Sequence, residues 1–75
     1  MDLQDQAFLQ KLGDRLRERR QALNLTQAQF AEQCGLHRTF VGSVERGERN
    51  VSILNLRQLA SKLRVTLADL LAGLQ

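Results

Sequence analysis

The chain has 75 residues, a formal net charge of +3 and a pI of about 10.0. Its apolar residues are mainly Leu and Ala and it contains no proline, so helices are favoured over strands. It lacks a run of about 18 apolar residues that would cross a membrane and the basic-then-apolar start of a signal peptide, and its single cysteine, Cys34, fits a reducing cytoplasm.

The first predicted helix covers roughly residues 5–23 and carries one apolar stripe. The members of the stripe recur at intervals of four, four and seven residues: Phe8, Leu12, Leu16 and Leu23. Asn24 is expected to end this helix in the left-handed conformation. Gly13 lies in its middle, where glycine costs roughly 1 kcal/mol relative to alanine, so we expect a neighbouring helix to approach closely there.

Three further helices are predicted to begin with the same capping pattern. A Ser or Thr cap precedes a polar residue three positions later in each: Thr26 with Gln29, Ser52 with Asn55, and Thr66 with Asp69. Apolar residues flank each cap as a hydrophobic staple: Leu25 with Phe30, Val51 with Leu56, and Val65 with Leu70. With the segment that follows His37, these signals place helices at about 27–34, 38–45, 53–63 and 67–73. The predicted fold class is all-α, a five-helix bundle.

The segment Thr26–Gly47 is predicted to form a helix-turn-helix, with its two helices and turn at 27–46. Gly35 provides the turn conformation that a side chain would resist. The apolar residues expected to pack between the two helices are Phe30, Ala31, Cys34, Val41 and Val44. The residues expected to face outward from the second helix are Arg38, Thr39, Gly42, Ser43 and Arg46. Such a second helix can lie in the DNA major groove.

The outward residues have side chains that suit base recognition. An arginine such as Arg38 can contact guanine through two hydrogen bonds, and Thr39 and Ser43 can hydrogen-bond to base edges. Gly42 is expected to remove bulk where the helix approaches the floor of the groove. Basic residues surround this surface: Arg15, Arg17, Arg19 and Arg20 before it, and Arg38, Arg46 and Arg49 in and after it. On charge alone, a phosphate-binding surface and ordinary solvated helix faces both remain open.

The motifs LTQAQFA and VERGERN, within Leu16–Gly73, resemble the DNA-binding domain of phage repressors and Cro proteins. The bacterial form of that domain is the xenobiotic-response-element type of regulator. The segment HRTFVGSVERGERN also resembles the controller proteins of restriction–modification systems. The resemblance implies a five-helix bundle of the phage-repressor type that binds double-stranded DNA.

The resemblance also implies roles for individual residues. Base reading falls to Arg38, Thr39 and Ser43. Contacts to the DNA backbone fall to Gln27, Arg46, Arg49, Asn50 and Ser52. A partly buried ion pair is implied between Arg20 and Glu45. Arg38 stands where several phage repressors carry glutamine, which shifts the expected first base from adenine to guanine.

Two further residues have competing interpretations. His37 is expected to be a weak helix cap at the surface rather than a phosphate contact or pH sensor. Cys34 is expected to be an inert buried thiol rather than a redox switch. No metal site, cofactor or catalytic constellation is predicted. The sequence has one His and one Cys, and its carboxylates are not paired in a way that indicates a metal or catalytic site. The chain is therefore not expected to be an enzyme.

The sequence predicts a transcriptional regulator, with residues 1–75 as one domain, that acts as a homodimer on an inverted-repeat operator. Leucines of a probable dimerisation helix at 66–75 are assigned to the dimer interface: Leu67, Leu71 and Leu74. The alternative is an antitoxin that binds a toxin partner and represses its own operon. Neither interpretation involves a membrane, and both place the protein in a bacterial or phage-host cytoplasm, associated with the nucleoid.

Overall fold

Five helices make up the computed structural model, which describes residues 1–74 and contains no strand within that range. They are α1 (Leu3–Ala22), α2 (Gln27–Cys34), α3 (Arg38–Glu45), α4 (Ile53–Lys62) and α5 (Leu67–Leu71). The all-α, five-helix prediction is confirmed. None of these helices has the length and apolar character needed to cross a membrane. Gln75, the last residue of the predicted dimerisation segment, lies outside the described residues.

Side-chain caps set the helix starts. The hydroxyls of the three predicted caps each accept a hydrogen bond from the backbone N–H three residues on, at 3.0–3.1 Å: Thr26, Ser52 and Thr66. At Thr26 the bond is reciprocal, because Gln29 Oε1 accepts from the Thr26 N–H at 2.8 Å. Asp2 caps α1 in the same way, which is why this helix begins earlier than the apolar stripe indicated. His37 caps α3, its Nδ1 accepting from the Thr39 N–H.

The apolar face of α1 differs by one position from the prediction. Leu9, Leu12 and Leu16 are buried, whereas Phe8 is 37% exposed. Spacings of three and four residues keep those leucines along one face, while Phe8 falls at its edge. The buried side of α1 also includes Gly13. A Cβ atom on this glycine would lie 2.6 Å from the carbonyl oxygen of Val44, so α1 crosses the end of α3 in direct backbone contact, as predicted.

The helix-turn-helix is built around a short turn and a shared core. Gly35 ends α2 with φ of +66°, and α2 packs against both α3 and α4. The residues predicted to lie between α2 and α3 are all buried: Phe30, Ala31, Cys34, Val41 and Val44. Asn24 likewise ends α1 with a φ of +59°, as expected. This packing fixes the orientation of α3 relative to the rest of the molecule.

The C-terminal helix is attached to the core more completely than predicted. Leu70 is fully buried, and Leu74 is 4% exposed and part of the same core. Leu67 and Leu71 are partly buried against it. Arg15 of α1 donates hydrogen bonds to the carbonyl oxygens of Asp69, Leu70 and Ala72 at the end of α5. The assignment of Leu74 to an intermolecular surface is therefore wrong, because its own chain covers it.

Candidate nucleic-acid interface

The first turn of α3 presents two of the predicted base-reading residues to solvent. Arg38 and Thr39 are both exposed. The opposite side of α3 holds Val41 and Val44 in the core, which prevents the helix from rotating about its axis. Arg38 and Thr39 are therefore held on a rigid element with their polar atoms free to approach a base edge.

Ser43 lies on the same face of α3 but is covered. Thr39, Ser43 and Arg46 follow the spacing of one helix face, yet Ser43 is 8% exposed. Its hydroxyl donates to the carbonyl oxygen of Phe40 at 2.7 Å and accepts from Arg49 Nε at 2.9 Å. The predicted outward placement of Ser43 is wrong, because the loop after α3 folds back over it.

Arg49 lies beside Ser43 and is held by two contacts with α3. Its guanidinium carbon lies 5.2 Å from the centroid of the Phe40 ring, a cation–π distance, and its Nε is held by Ser43. Because Nε is one of five N–H donors of the guanidinium, the terminal nitrogens can still meet DNA. These two contacts hold Arg49, which is itself exposed, in the loop after α3.

Gly42 is also buried rather than outward-facing. A Cβ atom there would lie 3.2 Å from Arg46 Nη1 and 3.4 Å from Gln27 Oε1. The absence of a side chain therefore lets the long side chains of Gln27 and Arg46 lie across α3. This replaces the prediction that Gly42 itself approaches the floor of the groove.

Glu45 is the buried centre of the region where α1, α2 and α3 meet. Its carboxylate accepts hydrogen bonds from Arg20 Nε at 2.6 Å and from Arg20 Nη2 at 2.9 Å. It also accepts one from Gln27 Nε2 at 3.0 Å. Arg20 donates in addition to the carbonyl oxygen of Leu25 at 2.7 Å. The implied Arg20–Glu45 pair is present, with both residues buried.

The surroundings of Glu45 hold it in the charged form. Burial by itself raises the pKa of this carboxyl group. The hydrogen bonds from Arg20 and Gln27, and the positive charges of Arg20 and Arg17, more than offset that effect and lower its pKa. A carboxylate with these partners stays ionised at neutral pH and fixes the side chains that surround it.

Arg46 is paired with Glu48, for which the sequence predicted no role. Glu48 accepts from Arg46 Nε at 2.9 Å and from Arg46 Nη2 at 3.2 Å, with both side chains more than half exposed. The pairing raises the pKa of Arg46 and lowers the pKa of Glu48. Two oppositely charged residues two positions apart in a turn were the available signal. A phosphate that contacts Arg46 would compete with this carboxylate.

The remaining predicted backbone contacts differ in their freedom. Asn50 is exposed in the loop before α4, beside Ser43 and Arg49. Ser52 uses its hydroxyl to cap α4 and is itself exposed.

Cys34 is buried away from this surface, and burial raises the pKa of its thiol despite the nearby charge of Lys62. A thiol in that environment has little thiolate character.

Comparison with known proteins agrees with this arrangement. A helix-turn-helix family model matches residues 16–70, from the middle of α1 to Leu70 in α5. The chain belongs to the helix-turn-helix family. The match includes both packed helices of the motif and the α1 segment that supplies Arg20.

Similar members of the helix-turn-helix family include restriction–modification control proteins. The chain is 48% identical to control protein C.SmaI of Serratia marcescens over 60 residues, which span 80% of this chain and 71% of that protein. It is 36% identical to C.MunI of a Mycoplasma species over 66 residues, 87% and 89% of the two chains. The crystal structure of the restriction–modification controller protein C.AhdI from Aeromonas hydrophila superposes with a TM-score of 0.80. That alignment has 48% identity and covers 83% of this chain and 94% of the other.

These relatives bear on the activity as well as the fold. The predictions of a helix-turn-helix regulator with a DNA-binding fold, and of a chain that is not an enzyme, are confirmed by the family and its members. The resemblance to restriction–modification controllers is confirmed as well. The roles of individual side chains on DNA stay predictions, and so does the dimer interface.

Proposed function

We propose that this protein binds a specific DNA site as a homodimer and thereby controls transcription. The observation that carries the proposal is the exposed first turn of α3, where Arg38 and Thr39 stand free on a helix whose other side is fixed in the core. A helix presented in this way can enter the major groove with its N-terminal residues against the base edges. Residues 1–75 would then act as one DNA-binding domain.

Arg38 and Thr39 are the proposed base-reading residues. Arg38 can donate two hydrogen bonds to O6 and N7 of guanine, and Thr39 can hydrogen-bond to a base or touch a thymine methyl group. Ser43 has both a donor and an acceptor partner within the chain, so we assign it to positioning Arg49 instead of reading a base. Arg49 then joins the surface that meets the DNA.

The proposed backbone contacts lie on both sides of this reading surface. Gln27 stands at the first position of α2, where a helix N-terminus favours a phosphate. Arg46, Arg49, Asn50 and Ser52 follow α3 along the chain. The phosphates bound by these residues would fix the register of α3 in the groove, while the bases would supply specificity.

A homodimer would place two copies of α3 about one turn of DNA apart, roughly 34 Å. The operator is therefore proposed to be an inverted repeat. Leu67 and Leu71 remain candidates for the interface because they are only partly buried. Ile53 and Leu54, at the start of α4, are 61% and 66% exposed and add apolar surface that was not predicted from the sequence.

The similarity to restriction–modification controllers supports a narrower proposal. We infer that this chain regulates the genes of such a system, acting on DNA in a bacterial or phage-host cytoplasm. Its concentration, the occupancy of the operator or a partner protein would set the response.

Selection of bound duplexes from a random DNA library tests this proposal. The expected result is one enriched inverted repeat, with a guanine in each half-site and half-sites centred about 10 base pairs apart. Arg38→Ala should remove the preference for that guanine. A library from which the wild-type protein enriches no sequence, although it is folded, would contradict specific DNA binding.

A further inference from the structure

The arginines of α1 are distributed among three different environments. Arg15 is bound to the carbonyl oxygens at the end of α5, and Arg20 is buried against Glu45. Arg19 lies beside α5, at a surface depression that it shares with Arg15 and Asp69. Arg17 lies on the other side of α1, since two residues along a helix correspond to a rotation of about 200°. It is the α1 arginine that combines exposure with proximity to the helix-turn-helix.

Arg17 lies close to Glu45 without being fixed by it. Its Nε is 3.5 Å from Glu45 Oε1, while its side chain remains 41% exposed. Arg20 and Gln27 donate to the same carboxylate at shorter distances, between 2.6 and 3.0 Å. Two arginines and one carboxylate leave a net charge of +1 at this point, and the less tightly held arginine is the one that reaches the surface.

Arg17 and Gln27 meet at the start of α2. Gln27 Nε2 and Arg17 Nε both lie near one atom, Glu45 Oε1, so the amide and the guanidinium are neighbours. A primary amide nitrogen carries two hydrogens, and Glu45 occupies one of them. The second amide hydrogen and the exposed donors of Arg17 are therefore available to one acceptor outside the protein.

We propose that Arg17 and Gln27 together bind one phosphate of the DNA backbone, with Glu45 as the residue that positions both donors. The inference rests on the proposed DNA-binding function and adds a contact from α1 to it. A phosphate oxygen accepts charge-assisted hydrogen bonds from a guanidinium. Glu45 fixes the amide of Gln27 in the orientation that presents its free hydrogen, and it keeps Arg17 close by without occupying its donors.

Paired arginine variants test the contact. Arg17→Gln removes the charge at the proposed phosphate, and Arg19→Gln makes the same change two residues away on the α5 side. Binding to the selected operator and to a scrambled duplex is measured by fluorescence anisotropy at several salt concentrations. For Arg17→Gln we expect affinity to fall roughly tenfold on both duplexes. The slope of log K against log[salt] should decrease in magnitude by about 0.9.

The controls separate a DNA contact from a structural role. Arg19→Gln should leave the slope unchanged, and Arg17→Lys should restore most of it because the charge is kept. Thermal unfolding of each variant reports any loss of stability. An Arg17→Gln protein that keeps the wild-type slope overturns the proposal, whether or not its stability falls, and so does an equal loss with Arg19→Gln. If Arg38→Ala still removes specificity in that case, the DNA-binding function stands and only the Arg17 contact fails.

Discussion

At the residue scale, neighbouring side chains hold the polar and charged groups around α3 in position. Ser43 and the ring of Phe40 hold Arg49, which would otherwise be free to move on an exposed loop. Gln27 lies over Gly42 and is oriented by Glu45. Side chains that are already ordered lose less conformational entropy when they bind. The arginines around α3 are therefore better placed for DNA than their number alone suggests.

Replacement of Arg38 tests base reading directly. Arg38→Ala should cost roughly 1–3 kcal/mol on the selected operator and much less on random DNA, because a bidentate contact to guanine is specific to the base. Competition binding with both duplexes measures the difference. Equal losses on the two duplexes would mean that Arg38 contacts a phosphate.

Replacement of Arg49 should act on all DNA sequences. Arg49→Ala should weaken binding to operator and random duplexes alike and reduce the salt slope by about one unit. A wild-type slope in a salt titration of Arg49→Ala would show that Arg49 makes no phosphate contact.

Ser43→Ala keeps the charge of Arg49 but removes the oxygen that accepts a hydrogen bond from its Nε. We expect Ser43→Ala to weaken the affinity for DNA while the salt slope stays near the wild-type value.

Electrostatics joins three helices at the element scale. Glu45 is the last residue of α3, Arg20 belongs to α1 and Gln27 is the first residue of α2. Arg20 and Gln27 both donate hydrogen bonds to the buried carboxylate of Glu45. Removal of one partner of a buried ion pair leaves the other charge buried without compensation. The free energy lost in this way is larger than the net stabilisation that the intact pair provides. The same group of residues therefore supports both the fold and the orientation of α3.

Loss of the Glu45 carboxylate should destabilise the protein strongly. Glu45→Ala is expected to lower the free energy of unfolding by about 3 kcal/mol, because Arg20 stays buried without its partner. Urea unfolding followed by circular dichroism measures the change. The matched control is Glu48→Gln, which breaks an exposed pair with Arg46 and should leave stability nearly unchanged. A loss below about 0.5 kcal/mol for Glu45→Ala would instead indicate a surface-like pair.

Stability should also depend on pH through Glu45. Its pKa is lower in the folded protein than in the unfolded chain, where a glutamate has a pKa of about 4.3. The stabilisation is therefore fully present above the unfolded pKa and is lost as pH falls through the lower, folded value. Urea titrations from pH 7 to the acid range should show this decline in the wild-type protein. The decline should be smaller in Glu45→Gln, and an unaltered acid profile in that variant would contradict the assignment.

Assembly is decided at the scale of the whole molecule. The core takes Leu70 and Leu74 from the C-terminal segment, so Leu67 and Leu71, which are partly buried, remain its candidates for contact with a partner. Apolar side chains that are largely exposed occur at the start of α4, where Ile53 and Leu54 are neighbours in the chain. A second copy of the chain would remove such surface from water while doubling the DNA contacts.

Sedimentation of charged variants locates the interface. The wild-type protein is expected to be a dimer at tens of micromolar, and the Ile53→Glu, Leu54→Glu double variant is expected to be a monomer because two buried charges would oppose association. Leu3→Glu serves as a matched control on α1, where the side chain is 82% exposed. A double variant that still forms dimers would remove the start of α4 from the interface.

Local interactions explain how much of this protein the sequence could predict. The starts of α2, α4 and α5 follow from caps and the residues three positions later, and the turns at Asn24 and Gly35 follow from single residues that tolerate positive φ. The sequence also determined the family, through the helix-turn-helix motif and its flanking residues. Each of these signals acts within a few residues, so it can be read without knowing the packing.

Contacts between distant segments were decided only by the tertiary structure. Ser43 has the spacing of an exposed residue, but Arg49 returns from the following loop to cover it. Leu74 belongs to an apolar set that looked available for a partner, but it closes the core of its own chain. Three exposed or partly exposed arginines of α1 have the same side chain but different surroundings: Arg15, Arg17 and Arg19. They differ because α5 lies on one side of α1 and the helix-turn-helix lies on the other. Burial and pairing depend on which elements meet, and that is a property of the folded molecule as a whole.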